Sequence, residues 1–260
     1  MRNPERELTF LLAGPERRLL RAIARRLPRA ISSDHLTTLG VLGATAAGIA
    51  YALSAAHPAW LLAASAALVL NWLGDSLDGT LARVRHAERP RYGYYLDHIV
   101  DAYSTAAIGI GLGLSPYFSL GIALGLVVVY LALSINVYLE SAVFGAFRLG
   151  YGGIGPTEVR LILIVVNTAL FLLPPALPVR LIADGVLAAA ALGMVALLAV
   201  RFARNLRDLA RLEPLARLSL SFRTPAVAEP RLQPTENDEG INVRRRAAAP
   251  AEIRRTTLSG

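Results

Sequence analysis

The chain contains no cysteine and no lysine. Without cysteine, neither a disulfide nor a thiolate zinc site can form. All 27 basic residues are therefore arginine, which we read as codon usage and not as a functional signal. Acidic residues are fewer, 19 in all, so the net charge is +8. That balance would suit nucleic acid, but the arginines flank apolar runs, where anionic lipid headgroups are the better partner and no nucleic acid is expected. Charge itself is missing over long stretches. No Asp, Glu, Arg or Lys occurs between Leu36 and Gly74, nor between Ala102 and Leu139. A chain of 260 residues that is 54% apolar is too hydrophobic for one ordinary soluble domain. A secretory signal is not expected, because the early apolar stretch Leu8 to Ala13 is shorter than an h-region.

The first charge-free run is too long for one crossing and is interrupted at His57-Pro58, giving two spans of about 20 residues each. The second breaks at Ser115-Pro116 and again gives two, the first of them starting near Tyr94. Leu161 to Leu177 and Ile182 to Val200 supply a fifth and a sixth, with Pro174, Pro175 and Pro178 in the turn between them. The expected fold is all-α: an integral membrane bundle of six transmembrane helices, preceded by an amphipathic interfacial helix. That N-terminal helix is expected over Glu16 to Arg29, where Leu19, Leu20, Ile23 and Leu27 share one face and arginines surround the other.

Arginine asymmetry orients the spans. Arg17, Arg18, Arg21, Arg25, Arg26 and Arg29 precede the first span, and Arg83, Arg85, Arg89 and Arg91 follow the second. Arg201, Arg204 and Arg207 mark the exit of the sixth, while the alternate loops carry at most Arg180. Both termini and the second and fourth loops are thus expected in the cytoplasm, with the protein in the cytoplasmic membrane. Three regions follow: residues 1–32 as a cytoplasmic segment with the interfacial helix, 33–207 as the membrane catalytic domain, and 208–260 as a mostly disordered cytoplasmic tail. The tail turns to Pro, Arg, Ala, Glu and Thr without periodicity, and its Arg244-Arg245-Arg246 run is read as solvated.

Four aspartates stand at the cytoplasmic ends of the second and third spans: Asp75, Asp78, Asp97 and Asp101. Each would cost roughly 2.5–3.5 kcal/mol at mid-membrane and less near the interface. On a helix, residues three and four apart differ in direction by about 60° and 40°, so each pair projects from one face. A short loop makes the two spans antiparallel neighbours, and the pairs can converge. Four carboxylates in one pocket repel, and two divalent cations would neutralise them. Oxygen ligands with no cysteine favour Mg²⁺ or Mn²⁺ over zinc. The alternative is that the aspartates cap helix ends and pair with Arg83 or Arg85. Structural ion pairing, however, does not require matched pairs on neighbouring helices. The small residues Gly79, Ala82 and Gly93 leave room beside the carboxylates, either for a ligand or for close helix packing.

Taken together, Asp75-x-x-Asp78-Gly79-x-x-Ala82-Arg83 followed by Gly93-x-x-x-Asp97-x-x-x-Asp101 resembles the defining motif of the CDP-alcohol phosphotransferase family. Nine residues separate Arg83 from Gly93, one more than the usual spacing, and the extra residue falls in a loop. Leu36-Thr37-Thr38-Leu39-Gly40 is similar to the start of the family's first helix, although Asp34-His35 replaces Pro-Asn. Leu96-Asp97-His98, Ser104-Thr105, Phe147-Arg148 and Thr157-Glu158-Val159 are similar to the choline/ethanolamine branch. The resemblance implies a six-helix homodimer with a cytoplasm-facing polar cavity, in which Asp75, Asp78, Asp97 and Asp101 hold two Mg²⁺ or Mn²⁺ ions against the donor's pyrophosphate. It implies that Asp101 is the general base and that Asp75, Asp78, Gly79, Ala82, Arg83 and Gly93 surround the cytidine nucleotide. The reaction implied is transfer of a substituted phosphate from a CDP-alcohol to an alcohol hydroxyl, with release of CMP, in phospholipid biosynthesis. The donor is either CDP-diacylglycerol or a CDP-linked headgroup, and the acceptor correspondingly a small polar or a lipid alcohol. Glu140, Arg148, Glu158 and Arg160 flank the loop between the fourth and fifth spans, on the aspartates' side, and are candidates for reading the acceptor; ordinary interfacial charge is the alternative.

Two rivals remain. An intramembrane Mg-dependent prenyltransferase also uses paired aspartates, but its two acidic motifs lie far apart in the chain. A non-enzymatic cation or proton transporter would carry midplane charges or broken helices, whereas these aspartates gather at one end of their spans.

The absence of cysteine makes the topology directly testable. A single cysteine at Arg89 or beside Gly260 should react with a membrane-impermeant maleimide only from the cytoplasmic face, and one at His57 only from the opposite face. Reaction of the Arg89 and His57 positions from the same face would overturn the span count.

Overall fold

A computed structural model of the protein describes residues 13–144, 155–172 and 178–214. Among these residues there are seven helices and no strand: α1 (Ala13–Arg26), α2 (Ser33–Leu53), α3 (Trp60–Val84), α4 (Pro90–Leu114), α5 (Leu120–Phe144), α6 (Pro156–Leu172) and α7 (Val179–Leu212). Phe147, Arg148, Pro174, Pro175 and the expected tail from 215 onward lie outside the described residues. The helices outrun the charge-free segments that announce them. Helix α3 continues ten residues past Gly74, through both of its aspartates, and α7 runs on past 207 to Leu212. Helix α1 is displaced from the expected Glu16–Arg29 to Ala13–Arg26.

Local chemistry sets the ends. Ser32 begins α2 with a capping box in which its Oγ accepts from the His35 amide at 3.3 Å and its own amide donates to His35 Nδ1 at 3.2 Å. Proline opens α4, where its missing N–H costs nothing. Two residues past the end of α3 stands His86, whose φ of 54° is the left-handed conformation that usually falls to glycine. There the Ala87 amide closes back on Ala82 O at 3.0 Å and the His86 amide on Arg83 O at 3.3 Å. The start of α5 is capped from a distance: Asp184 on α7 accepts from the amide of Ser119 at 2.8 Å and from its hydroxyl at 2.5 Å.

Contacts at successive levels fix helix direction. Thr45 and Tyr103 share a hydrogen bond of 2.8 Å, and further along Gly48 meets Ala107 and Gly111, so α2 and α4 run parallel. Helix α6 runs antiparallel to α3, since Arg160 reaches Asn71 at 2.9 Å and Asn167 reaches Ser65 at 3.1 Å. Ser119 with Asp184 at one end, and Glu140 with Arg201 at the other, make α5 and α7 parallel. Successive helices from α2 to α7 thus alternate up and down.

Two apolar clusters hold the bundle. One gathers Ala47, Tyr51, Leu61, Leu68 and Leu112 with Phe118. The other packs Leu20 and Ala24 of α1 against Leu36, Leu77 and Leu81, leaving Arg17, Arg18, Arg21, Arg25 and Arg26 exposed. Outside these clusters many large apolar residues face outward: Leu181 is 75%, Leu192 70% and Val165 67% exposed. So apolar an exterior is suited to hydrocarbon, not to water. Four helices, α2, α3, α5 and α7, are long and apolar enough to cross a bilayer. Helix α4 falls short of the other long helices because Arg91, Asp97 and Asp101 occupy its first turns, and α6 is described over only 17 residues.

Helices α2, α3 and α4 meet along a glycine seam. A Cβ on Gly74 would lie 2.3 Å from the Gly40 nitrogen, one on Gly43 2.5 Å from the Asn71 nitrogen, and one on Gly111 2.3 Å from the Gly48 oxygen. All three approaches are backbone to backbone, so no rotamer change can relieve an added methyl. Gly74→Ala should therefore lower stability by at least about 1–3 kcal/mol, the usual cost of overpacking. Gly121→Ala, at a position where a Cβ would meet nothing within 4 Å, should leave it unchanged or slightly raised. Thermal unfolding of the two variants in the same detergent compares them.

Candidate active site

The seam brings the ends of α2, α3 and α4 together, and the four aspartates lie there. Asp75 and Asp78 stand in the last three turns of α3, and Asp97 and Asp101 in the second and third turns of α4. Their charges are within mutual reach: Asp78 is repelled by Asp97 and Asp75, and Asp101 by Asp75, Asp97 and Asp78. The two pairs thus lie at one end of the bundle, but Asp78 and Asp97 border one cavity and Asp101 another, not the single pocket expected from the sequence.

Each carboxylate of the α3 pair has protein donors. Asp78 is 8% exposed; its Oδ2 accepts from the Thr37 hydroxyl at 2.7 Å and its Oδ1 from the Gly79 amide at 2.5 Å. The Ser33 hydroxyl adds a bond of 2.9 Å to the Asp78 carbonyl, so the first turns of α2 grip both the side chain and the backbone of this residue. Asp75 Oδ2 pairs with Arg160 Nη2 at 2.7 Å, and the same guanidinium donates through Nε to Asn71 Oδ1 at 2.9 Å. Asn71 is only 1% exposed and passes its own Nδ2 hydrogen to Gly40 O at 2.9 Å. Gly40, Asn71, Arg160 and Asp75 thus form one chain of hydrogen bonds across α2, α3 and α6. Arg160 also attracts Asp101, making it a shared counter-ion for the α3 and α4 acids.

Two cavities open beside the cluster. One, of about 400 Å³, is bordered by Thr37, Asp78, Gly79, Ala82, Gly93 and Asp97, with Asp34, Arg89 and Tyr92 at its edge. Arg89 pairs there with Asp34 and stacks over the Tyr92 ring at 3.9 Å. A Cβ on Gly93 would meet no protein atom within 4 Å, so what this glycine keeps open is the cavity itself. Gly79 has a different task, because its missing Cβ lets Arg83 lie against the helix; an added one would sit 3.3 Å from Arg83 Nη1. Arg83 in turn donates to Thr80 Oγ1 at 3.1 Å. Neither Asp75 nor Arg83 borders this cavity, unlike the other expected nucleotide residues. The second cavity, about 410 Å³, lies between α4 and α5 and is bordered by Tyr94, His98, Ile99, Tyr130, Leu131, Ile135 and Tyr138. Asp101 is its acidic residue. His98 is wedged between Tyr94 and Tyr138, with ring centroids 4.1 Å away on either side.

The remaining expected residues part company. Arg160 joins the aspartates. Glu140 belongs to a cluster with α7, accepting from Asn136 at 2.6 Å, Asn205 at 2.7 Å and Arg201 at 2.5 Å. Glu158 turns back to accept the Gly155 amide at 2.9 Å at the start of α6. Arg148 is outside the described residues. Asn71 and Thr37, which hold Asp75's partner and Asp78 respectively, were not among the expected site residues. Asn71 did leave a trace, as an amide in a charge-free run one helical turn before Asp75.

The donor set suits a divalent cation. It is all carboxylate oxygen, Arg160 is shared between Asp75 and Asp101, and Asp75 Oδ1 has no protein donor among the described residues. The side chains as they stand do not form a closed cage: among the described residues no three His, Asp or Glu groups surround a common point at ligating distance. Thr37, Gly79 and Arg160 instead hold two of the acids at the cluster's margin.

A family model described as CDP-alcohol phosphatidyltransferase matches residues 31–202, about two thirds of the chain. The match takes in all four aspartates and leaves out α1 and the last residues of α7. No curated protein matches the chain. The match agrees with the apolar exterior and with the acids gathered at one end of the bundle, and the chain belongs to the CDP-alcohol phosphatidyltransferase family of membrane phosphotransferases, which serve phospholipid synthesis.

Proposed function

We propose that this enzyme transfers a substituted phosphate from a CDP-alcohol to the hydroxyl of a lipid alcohol at the cytoplasmic face of the membrane. The observation that carries the reading is the division of the acids between two cavities: Asp78 and Asp97 border the polar one, Asp101 the largely apolar one. The cavity that Gly79, Ala82 and Gly93 help to line is assigned to the cytidine nucleotide. The cavity of Tyr94, Ile99, Leu131 and Ile135 is assigned to an acceptor with apolar chains, which favours the CDP-headgroup donor over CDP-diacylglycerol.

In this reading Asp75, Asp78, Asp97 and Asp101 would hold two Mg²⁺ or Mn²⁺ ions. When bound, they supply neutralisation of the pyrophosphate and of the leaving CMP. Asp101 takes the acceptor proton as the hydroxyl oxygen bonds to the phosphorus bearing the donor's alcohol and the bond from that phosphorus to the CMP oxygen breaks. Arg160 keeps Asp75 oriented and limits the repulsion among the acids. The seven helices fit six crossings, α2 to α7, with α1 lying in the interface and its arginines toward lipid headgroups. Residues 33–207 form the catalytic domain, residues 208–260 the cytoplasmic tail whose first residues continue α7 to Leu212, and the working form is a homodimer.

The assignment of the base is separable from that of the ligands. Asp101→Asn should abolish CMP release, by about two orders of magnitude or more, while Mn²⁺-dependent donor binding stays near normal, because an amide keeps the shape but takes no proton. Asp78→Asn should weaken Mn²⁺ binding and donor binding together, since a charged ligand is lost. Equal loss of donor affinity in both variants would make Asp101 chiefly a ligand. An acceptor panel run with CDP-choline and with CDP-diacylglycerol, assayed for CMP, tests the lipid-alcohol assignment; turnover only with CDP-diacylglycerol and a small polar alcohol would reverse it.

A further inference from the structure

Helix α1 carries one acid among its arginines, and that acid faces inward. Glu16 Oε1 accepts from Trp72 Nε1 at 2.7 Å, from the Thr157 hydroxyl at 2.8 Å and from the Ser76 hydroxyl at 3.4 Å. One oxygen thus ties three helices together. The donors stand where the acidic site is sensitive. Ser76 follows Asp75 directly and Trp72 precedes it by three residues on α3, while Thr157 lies one turn before Arg160 on α6. The Asp75–Arg160 pair spans the same two helices, α3 and α6, about one turn from the Glu16 oxygen. The other end of α1 is fastened too: Arg85, at the end of α3, donates to the carbonyls of Leu27 at 3.1 Å and Pro28 at 2.8 Å and also to that of Ile31. Between these two fastenings Leu20 and Ala24 are buried against Leu77 and Leu81. A helix serving only as a basic anchor needs no inward carboxylate with three donors.

We infer that Glu16 is a positioning residue for the acidic site, setting the spacing of α3 and α6 and through it the orientation that Arg160 imposes on Asp75. The inference rests on the reading of the aspartates as cation ligands. Loss of the Glu16 oxygen frees α6 to shift against α3, Asp75 loses its fixed direction, and cation binding and turnover fall together. Because all three donors use a single oxygen, the amide of glutamine can replace it and the charge itself is dispensable.

The test compares Glu16→Gln, Glu16→Ala and Thr157→Val in the full chain, purified in nanodiscs, by Mn²⁺ binding followed from the free-ion spin-resonance signal and by CMP release. The expected result is that Glu16→Gln stays within about twofold of the parent. Glu16→Ala should lose about tenfold to a hundredfold in kcat, as a small misplacement of a site group does, and should need several times more Mn²⁺ for half-saturation. Thr157→Val should show the same changes in milder form. A mere loss of folded protein would lower the amplitude of Mn²⁺ binding without moving its midpoint, so the midpoint separates positioning from stability. If Glu16→Ala does not fold, Thr157→Val decides on the same midpoint. An unchanged midpoint in the folded variants overturns the inference, and so does a Glu16→Gln variant as impaired as Glu16→Ala. An Asp75→Asn control that binds Mn²⁺ like the parent would instead overturn the ligand reading on which the inference rests.

Discussion

A methyl group at Gly74 would sit 2.3 Å from the backbone nitrogen of Gly40, and one at Gly111 2.3 Å from the carbonyl of Gly48. Helices α2, α3 and α4 can come this close only because neither side of either crossing carries a Cβ, and in a bilayer such packing is a main source of association. The polar site depends on that closeness. Thr37 reaches Asp78 because α2 and α3 touch, and Asn71 reaches the Gly40 carbonyl across the same seam. Tyr103 meets Thr45 where α2 and α4 touch. Widen the seam by one methyl and these bonds lengthen together, so the packing and the chemistry of the site are one constraint.

Charge is the second constraint. Carboxylates gathered at one end of an apolar bundle repel one another, and Arg160 pairs with Asp75 and also attracts Asp101. Arg160 is 12% exposed at its side chain, and burying its charge would be costly without the acids it faces. Its second bond, to Asn71, fixes the guanidinium plane so that Asp75 meets it from one direction. One guanidinium thus serves two acids, Asp75 and Asp101, so neither is fully balanced by it.

Much of this was legible in the sequence because it is local. The paired aspartates at helical spacing, the charge-free runs and the breaks at His57-Pro58 and Ser115-Pro116 all concern residues close in the chain, where helical periodicity gives direction. What escaped depends on helices far apart in sequence. Glu16 reads as one acid in an arginine-rich segment until Trp72 and Thr157 are seen to converge on it. Glu140 and Arg160 flank the same loop and looked equivalent, yet Arg160 turns to Asp75 while Glu140 is engaged by Arg201 and Asn205 of α7. Periodicity cannot separate them, because it gives the face of a helix and not the helix that covers it. Helix ends escaped for another reason: aspartates interrupt a hydropathy run without interrupting the hydrogen-bond ladder, so α3 continues well past Gly74.

The two aspartates of α4 differ by one turn, a rise of about 6 Å and a rotation of about 40°. That small difference sends Asp97 to the polar cavity and Asp101 to the apolar one. On the proposed reading, the donor's phosphates and the acceptor's hydroxyl would meet across this turn, with the leaving CMP on the side of Gly79 and Gly93 and the base on the side of Tyr130 and Ile135. Such an arrangement orders the two reactants without any moving part. It also bears on the competing reaction, since water attacking the same phosphorus would hydrolyse the donor. On the side of Ile99, Leu131 and Ile135 a lipid alcohol brings its own apolar chains to fill space that water would otherwise occupy. Selectivity for transfer over hydrolysis would then follow from where one helical turn points its carboxylate.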